Sequence, residues 1–98
     1  MIYITQLIYI QEGQEEIFYQ FEEVAMPLIT KYNGNLLLRV QPTKIAGSME
    51  TPFEIHLVSF NSEEDFLRFM QDEERKKFLH LKEQAIRSVL LLRGTALN

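Results

Sequence analysis

A short sequence that occurs twice, each time at the start of a predicted helix, most constrains how this chain folds. Residues 15–21 read EEIFYQF and residues 63–69 read EEDFLRF. Apolar runs typical of β-strands flank both copies, at residues 1–10, 35–40, 53–60 and 89–93. The pattern predicts two successive βαβ units, with element order β-α-β-β-α-β in an α+β fold.

Length and composition set the broad class of protein. The 98 residues fit one domain spanning 1–98, and a chain this short gains stability from a second subunit. A formal net charge of -4 argues against a nucleic-acid partner. We expect no membrane segment, and the absence of cysteine is compatible with a cytoplasmic location. No glycine-rich phosphate loop is present, and we expect no cofactor.

The first strand is apolar on both of its faces. One face carries isoleucines at positions 2, 4, 8 and 10 and is interrupted only by Gln6, and the other carries Tyr3, Thr5, Leu7 and Tyr9. Helices on one side of a sheet cover only one face. We therefore expect a second copy of the sheet to cover the tyrosine face, giving a homodimer.

Turn and capping residues place the other elements. Asn33-Gly34 predicts the end of the first helix, and Pro27 predicts a kink within it. Ser62 is a good N-cap for the second helix, which we expect to bend within 71–74. The charged run 72–77 is typical of a solvated face. Residues 41–52, rich in turn formers, predict a weakly restrained hairpin tip.

Several local motifs resemble those of the dimeric α/β-barrel superfamily. These are Lys31-Tyr32-Asn33-Gly34 leading to Arg39, Pro52 before the third strand, and Phe60-Asn61-Ser62-Glu63-Glu64. The chain is similar to a small branch of that superfamily known only as a domain of unknown function, although Asn33 and Asn61 replace a glycine and a proline of its pattern. The resemblance implies a ferredoxin-like fold, with a four-stranded antiparallel sheet and two helices on one face, pairing as a dimeric α/β barrel.

The characterised branches of that superfamily place an Asn on strand one and a Trp and a His on helix two. The corresponding positions here resemble Gln6, Phe69 and Leu79. His80 misses the histidine position by one residue, about 100° of helix rotation, so it is not assigned as a haem ligand. We expect His80 to be structural.

The best candidate site combines Gln6 and His56, which lie on strands expected to be neighbours. If both face the helices, a neutral imidazole and an amide meet in an otherwise apolar pocket with Phe69 in its wall. We predict Gln6, His56 and Phe69 as ligand-binding residues and His56 as a catalytic candidate, a general base. The alternative is that His56 and Gln6 are satisfied structural residues.

Other kinds of site receive less support from the sequence. No carboxylates are expected to converge on a histidine, so no metal site is predicted. Arg39 and Arg93 lie at strand ends, where pairing with glutamates is favoured over the alternative of binding an anionic ligand.

Three functions remain open: a dimeric barrel that binds a small, mostly apolar molecule, a cofactor-independent enzyme similar to the monooxygenases or isomerases, and a non-catalytic structural or interaction dimer. The first is favoured.

Overall fold

The computed structural model describes residues 1–97, which form four strands and four helices. In chain order they are β1 (Ile2–Ile10), α1 (Glu15–Lys31), β2 (Gly34–Val40), β3 (Glu54–Phe60), α2 (Glu63–Met70), α3 (Glu73–Lys77), α4 (Leu79–Ala85) and β4 (Ile86–Gly94). None of these helices has both the length and the apolar character needed to cross a membrane.

The strands form one sheet in the order β2-β3-β1-β4, and every neighbouring pair is antiparallel. The expected ferredoxin-like order of elements is confirmed. The second helical region differs in detail, because it is divided into the short helices α2, α3 and α4. The first of two breaks, between α2 and α3, falls where a bend was predicted.

Helix α1 passes through Pro27 and ends where Asn33-Gly34 predicted. Asn33 adopts a positive φ of 61°, a conformation that asparagine tolerates better than most residues. Gly34 is needed for a different reason, since a Cβ there would lie 2.7 Å from side-chain atoms of both Ile29 and Phe60. The turn therefore depends on both residues.

Side-chain caps define the starts of α2 and α3. The Ser62 hydroxyl accepts a hydrogen bond from the Asp65 backbone N–H, as its N-cap position predicted. Asp72 caps α3 in the same way by accepting from the Arg75 backbone N–H at 2.9 Å. The expectation that residues 72–77 form a solvated face is wrong at two positions, because Asp72 and Arg75 are only 3% and 6% exposed. Asp72 is buried as a cap, and Arg75 is covered by aromatic rings.

The core lies between the sheet and the helices. The isoleucine face of β1 points into it, as predicted, and Ile4 and Ile8 are almost fully buried. Ile4 packs with Val58, Phe60 and Phe69 at one end of the core. Ile8 packs with Phe18 and Ala85 at the other.

The opposite side of the sheet has no covering layer among residues 1–97, and we call it the open face. Leu38, Leu90 and Leu92 on this face are each about half exposed, at 48%, 49% and 50%. The strand register places further apolar residues beside them, namely Tyr3, Leu7, Val40, Ile55 and Leu57. One chain leaves a broad apolar surface here.

The connection between β2 and β3 contains no helix or strand from residue 41 to 53. Its tip is anchored mainly through Glu50, which pairs with Arg87 and whose carbonyl lies 3.5 Å from the Tyr9 hydroxyl. Ile45 is fully exposed. The weak restraint expected for residues 41–52 stays a prediction.

Candidate functional site

One register row crosses all four strands on the helix-facing side of the sheet. Arg39 of β2 lies opposite His56 of β3, His56 lies opposite Gln6 of β1, and Gln6 lies opposite Leu91 of β4. Side chains at directly opposed positions of antiparallel strands point to the same face. Gln6 and His56 are therefore adjacent on the side that the helices cover.

His56 is 2% exposed and lies between two buried carboxylates. Its Nε2 is 2.7 Å from Oε1 of Glu54, two residues earlier on β3, and 3.1 Å from Oε2 of Glu22 on α1. Two carboxylate oxygens next to one ring nitrogen require a proton on that nitrogen. His56 therefore donates its Nε2–H to Glu54, and Glu22 makes a close ionic contact. The Nε2–H of His56 does not point at Oε2 of Glu22, so this oxygen is buried without a hydrogen bond.

Arg39 completes this polar cluster from the strand next to β3. It donates to both oxygens of Glu54, from Nε at 3.0 Å and from Nη2 at 3.2 Å, and Nη2 also lies 2.7 Å from Oε1 of Glu22. Ion pairing, the more favoured of the two roles for Arg39, is confirmed. With His56 protonated, two negative and two positive charges balance within the cluster.

The surroundings of Glu22 and Glu54 shift the pKa values of the two carboxyl groups in opposite directions. Burial alone would raise the pKa of Glu54, but hydrogen bonds from His56 and Arg39 outweigh it and lower that pKa from 4.5 to about 2. Burial dominates for Glu22 and raises its pKa. For His56, burial acts to lower the pKa, but the two adjacent carboxylates of Glu22 and Glu54 together raise it.

Two expectations about His56 are therefore wrong. It does not lie in an otherwise apolar pocket, because two carboxylates contact its ring, and they raise its pKa and so favour the protonated form over the expected neutral one. Carboxylates do converge on it, from elements far apart in sequence. A signal for Glu22 was present: it lies four residues after Phe18 and three before Ala25, on the apolar stripe of α1. Glu54 lies two residues before His56 on β3, so both side chains point to the same face of the sheet.

A cavity of about 80 Å³ lies between the sheet and the helices, directly above this row. Gln6, His56 and Phe69 all line it. The wall is mainly apolar and includes Ile4, Ile8, Phe18, Ala25, Val58 and Leu91. The structure thus brings the three predicted site residues around one space, and their roles in binding or catalysis stay predictions.

Glu22, Glu54 and His56 also satisfy the simplest requirement for a metal site, since one ligand atom from each lies within 4.8 Å of the others. The hydrogen bonds and ion pairs that these three side chains already make argue against metal binding. A metal would need the lone pair that His56 uses to hold its proton, and Arg39 already supplies positive charge to both carboxylates. We interpret the trio as an ion-pair cluster.

The other singled-out polar residues lie away from the cavity. His80 is exposed, and its ring stacks on Phe78 at 6.4 Å, in agreement with the expected structural role. Arg93 pairs with Glu63 on the surface, as favoured. Arg75 and Lys82, which the sequence did not single out, both line the cavity.

Comparison with known proteins supports the fold. No family model matches the chain, and no match was found among curated proteins. A protein of unknown function from Rhodopseudomonas palustris, RPA0582, superposes with a TM-score of 0.86 at 14% identity, covering 99% of this chain and 82% of that one. A dimeric protein of unknown function with a ferredoxin-like fold, from Bacteroides fragilis, has a TM-score of 0.73 at 11% identity, covering 97% and 95%.

An uncharacterised NIPSNAP domain protein from Burkholderia xenovorans is also similar, with a TM-score of 0.72 at 14% identity and coverage of 98% and 94%. At these identities the similarity establishes the ferredoxin-like fold, and these neighbours are themselves of unknown function.

Proposed function

We propose that this protein is a homodimer that binds a small, mostly apolar molecule in the cavity between its sheet and helices. The observation that carries the proposal is the cavity itself, whose apolar wall encloses a small number of polar groups on its floor. Sites that select small ligands have this composition. A dry apolar cavity of about 150 Å³ takes up benzene. The 80 Å³ present here is smaller, so a ligand with one benzene ring would require movements of flexible lining side chains such as Met26 and Met70.

The polar groups define what such a ligand would carry. The buried Oε2 of Glu22 is an acceptor without a hydrogen bond, and the Gln6 amide offers both a donor and an acceptor. A hydroxyl group on an otherwise apolar molecule would satisfy both, because it can donate to Glu22 and accept from Gln6. Phe69 would contact the apolar body of the ligand.

Titration of the ¹⁵N-labelled protein with benzyl alcohol tests this proposal. We expect amide shift changes at β1, β3 and the helices around the cavity, and weaker binding in Gln6→Leu and His56→Gln. Thr5→Val is the matched control, because Thr5 is next to Gln6 on β1 but points to the open face. Unchanged binding in both cavity variants, or shift changes confined to the open face, would contradict the proposal.

The homodimer is proposed from the open face. Its apolar residues are half exposed in one chain, and face-to-face pairing of two such sheets would bury them in an interface of the size and character of obligate dimers. One structural neighbour is described as dimeric. Sedimentation equilibrium at micromolar concentration tests this, and a stable monomer would contradict it. The cytoplasmic location and the absence of nucleic-acid partners stay predictions.

A second candidate function is cofactor-independent proton transfer, as in an isomerase-like enzyme. The opposite pKa shifts of Glu22 and Glu54 favour it, since environments that separate two carboxyl pKa values are a feature of acid–base sites. Glu22 or His56 would exchange a proton with the bound molecule. Incubation with cyclopentanone in D₂O, followed by NMR, should show faster α-proton exchange with wild type than with His56→Gln. Equal rates would leave the non-catalytic dimer as the better description.

A further inference from the structure

Arg75 lies in the helical wall of the cavity in a setting that is unusual for a guanidinium group. It is 6% exposed and lies near the rings of Phe21 and Phe69, whose centroids are 5.8 and 5.2 Å from its Cζ. Its only side-chain hydrogen bond among residues 1–97 runs from Nη1 to the Met70 carbonyl, at a long 3.4 Å. Nε is buried with no partner.

The nearest acidic group does not satisfy Arg75. Asp72 uses Oδ1 to accept the Arg75 backbone N–H, and its Oδ2 accepts from Lys31 at 2.9 Å and from the Tyr32 hydroxyl at 2.5 Å. Its charge acts on Arg75 without a side-chain hydrogen bond, and burial lowers the pKa of Arg75 overall. A buried cation that lacks a hydrogen-bonded anion is costly, and stacking on two rings offsets only part of the cost.

A second cation lines the same cavity. Lys82, on α4, is half-buried, and its pKa is lowered first by burial and then by the positive charge of Arg75. Within the described part of the chain, neither Arg75 nor Lys82 has a carboxylate oxygen within 4.0 Å of a side-chain nitrogen. By contrast, the cations of the sheet floor, Arg39 and His56, are both paired with Glu22 and Glu54.

We propose that the cavity binds a small monocarboxylic acid, whose carboxylate lies between Arg75 and Lys82 and whose apolar body extends toward Phe69 and the sheet. This inference rests on the proposed function and names the class of its ligand. A carboxylate accepts several hydrogen bonds at once, so it would supply Arg75 Nε with the partner that the chain does not.

The rest of the cavity favours this anion over others. A dianion such as a phosphate would be repelled more strongly than a monoanion by Glu22, which lines the same cavity, and a wall that is mainly apolar matches an aliphatic or aromatic acid. Gln6 and His56 then lie where a second polar group of the acid would be oriented.

Isothermal titration with benzoate and its neutral isostere benzamide, at pH 7, tests the proposal. We expect benzoate to bind at least about tenfold more tightly, because charge-assisted hydrogen bonds to a buried cation have no equivalent for the amide. Lys82→Met should weaken benzoate binding by about tenfold and change benzamide binding little. Lys77→Met is the matched control, because Lys77 is exposed and does not line the cavity, and it should leave benzoate affinity unchanged.

Arg75→Gln should remove the preference for benzoate, and circular dichroism shows whether that variant is folded. If it is not, Lys82→Met decides the matter. Equal affinity for benzoate and benzamide, benzoate affinity unchanged in Lys82→Met, or inorganic phosphate binding as tightly as benzoate would overturn the acid class while leaving the proposed cavity intact. If neither benzoate, benzamide nor benzyl alcohol binds, the proposed function itself fails.

Discussion

The two faces of the sheet are made by alternate residues of the same strands and have different surroundings. The covered face contributes Ile4, Ile8 and Val58 to a core that the helices close within the chain. The open face presents Leu90 and Leu92, which no element of residues 1–97 covers. Because successive residues of a strand point to opposite faces, the covered face holds the polar cluster and the cavity, and the open face is the surface through which we propose dimerisation.

This difference predicts which free energy each substitution changes. On the covered face, side chains are already packed, so truncation lowers the free energy of unfolding. On the open face, side chains are half solvated in one chain, so substitution acts mainly on the free energy of dimerisation. The following variants separate these two effects.

The largest expected effect comes from a charge on the open face. Leu90→Arg would place two unpaired guanidinium groups in the dimer, one from each chain, at a cost of several kcal/mol per charge. We expect about thousandfold weaker dimerisation or more, measured by sedimentation equilibrium.

Leu67→Arg is the control for Leu90→Arg, because Leu67 is 54% exposed on α2, away from the sheet. It should leave the dimer intact. A dimer that survives Leu90→Arg as well as it survives Leu67→Arg would remove the open face as the interface.

A truncation on the covered face should destabilise the fold of each chain. Phe60 is 1% exposed and packs against the rings of Phe66 and Phe69. Phe60→Ala should reduce the free energy of unfolding by about 3–5 kcal/mol, measured by urea denaturation. Leu92→Ala, measured below the dimer dissociation concentration, should cost less than about 1 kcal/mol. Equal costs would mean that the two faces are not differently buried in one chain.

The polar cluster of the covered face should make stability fall in acid. The folded pKa of Glu54 is about 2, below its ordinary value of 4.5, so its stabilisation is present above pH 4.5 and is lost as the pH falls toward 2. The shift corresponds to roughly 3 kcal/mol, partly offset by Glu22, whose raised pKa has the opposite effect.

Urea denaturation at pH 7, 5 and 3 measures how the free energy of unfolding falls in acid. Glu54→Gln should make this dependence on pH weaker, although the variant is also less stable at neutral pH. The control Glu64→Gln changes an exposed carboxylate that pairs with Arg68 on the surface, and it should keep the wild-type slope. An unchanged slope in Glu54→Gln would show that Glu54 is not held ionised by His56 and Arg39.

The smallest effect is expected at the hairpin tip, which belongs to neither face. Ile45 is fully exposed, so Ile45→Ser should change the free energy of unfolding by less than about 0.5 kcal/mol. Amides of residues 43–49 should exchange with solvent faster than those of β1. Slow exchange at the tip, together with weaker dimerisation of Ile45→Ser, would show that the tip crosses to the other subunit.

The sequence by itself determined the architecture, because that information is periodic and local. Alternation in residues 2–10 predicted which face of β1 enters the core, and Ser62 and Asn33-Gly34 predicted a helix start and a helix end that the structure shows. The pairing of β1 with β3 was expected from the ferredoxin-like sheet that the family resemblance implied. The alternation of side chains along β1 and β3 also made it possible that Gln6 and His56 lie on the same face of the sheet. The sequence did not determine the register between the two strands.

Only the tertiary structure decided the electrostatics of the site. The protonation of His56 depends on Glu22, which is 34 positions away on α1. Charged residues that pair in the fold have no periodic spacing in the sequence, so the sequence does not show which of them will pair. The same holds for Arg75: within residues 72–77 it looks like any surface charge, and its burial between Phe21 and Phe69 follows from how α3 packs against α1. Burial and pairing of charges depend on the distances between elements, and those distances are set only when the chain folds.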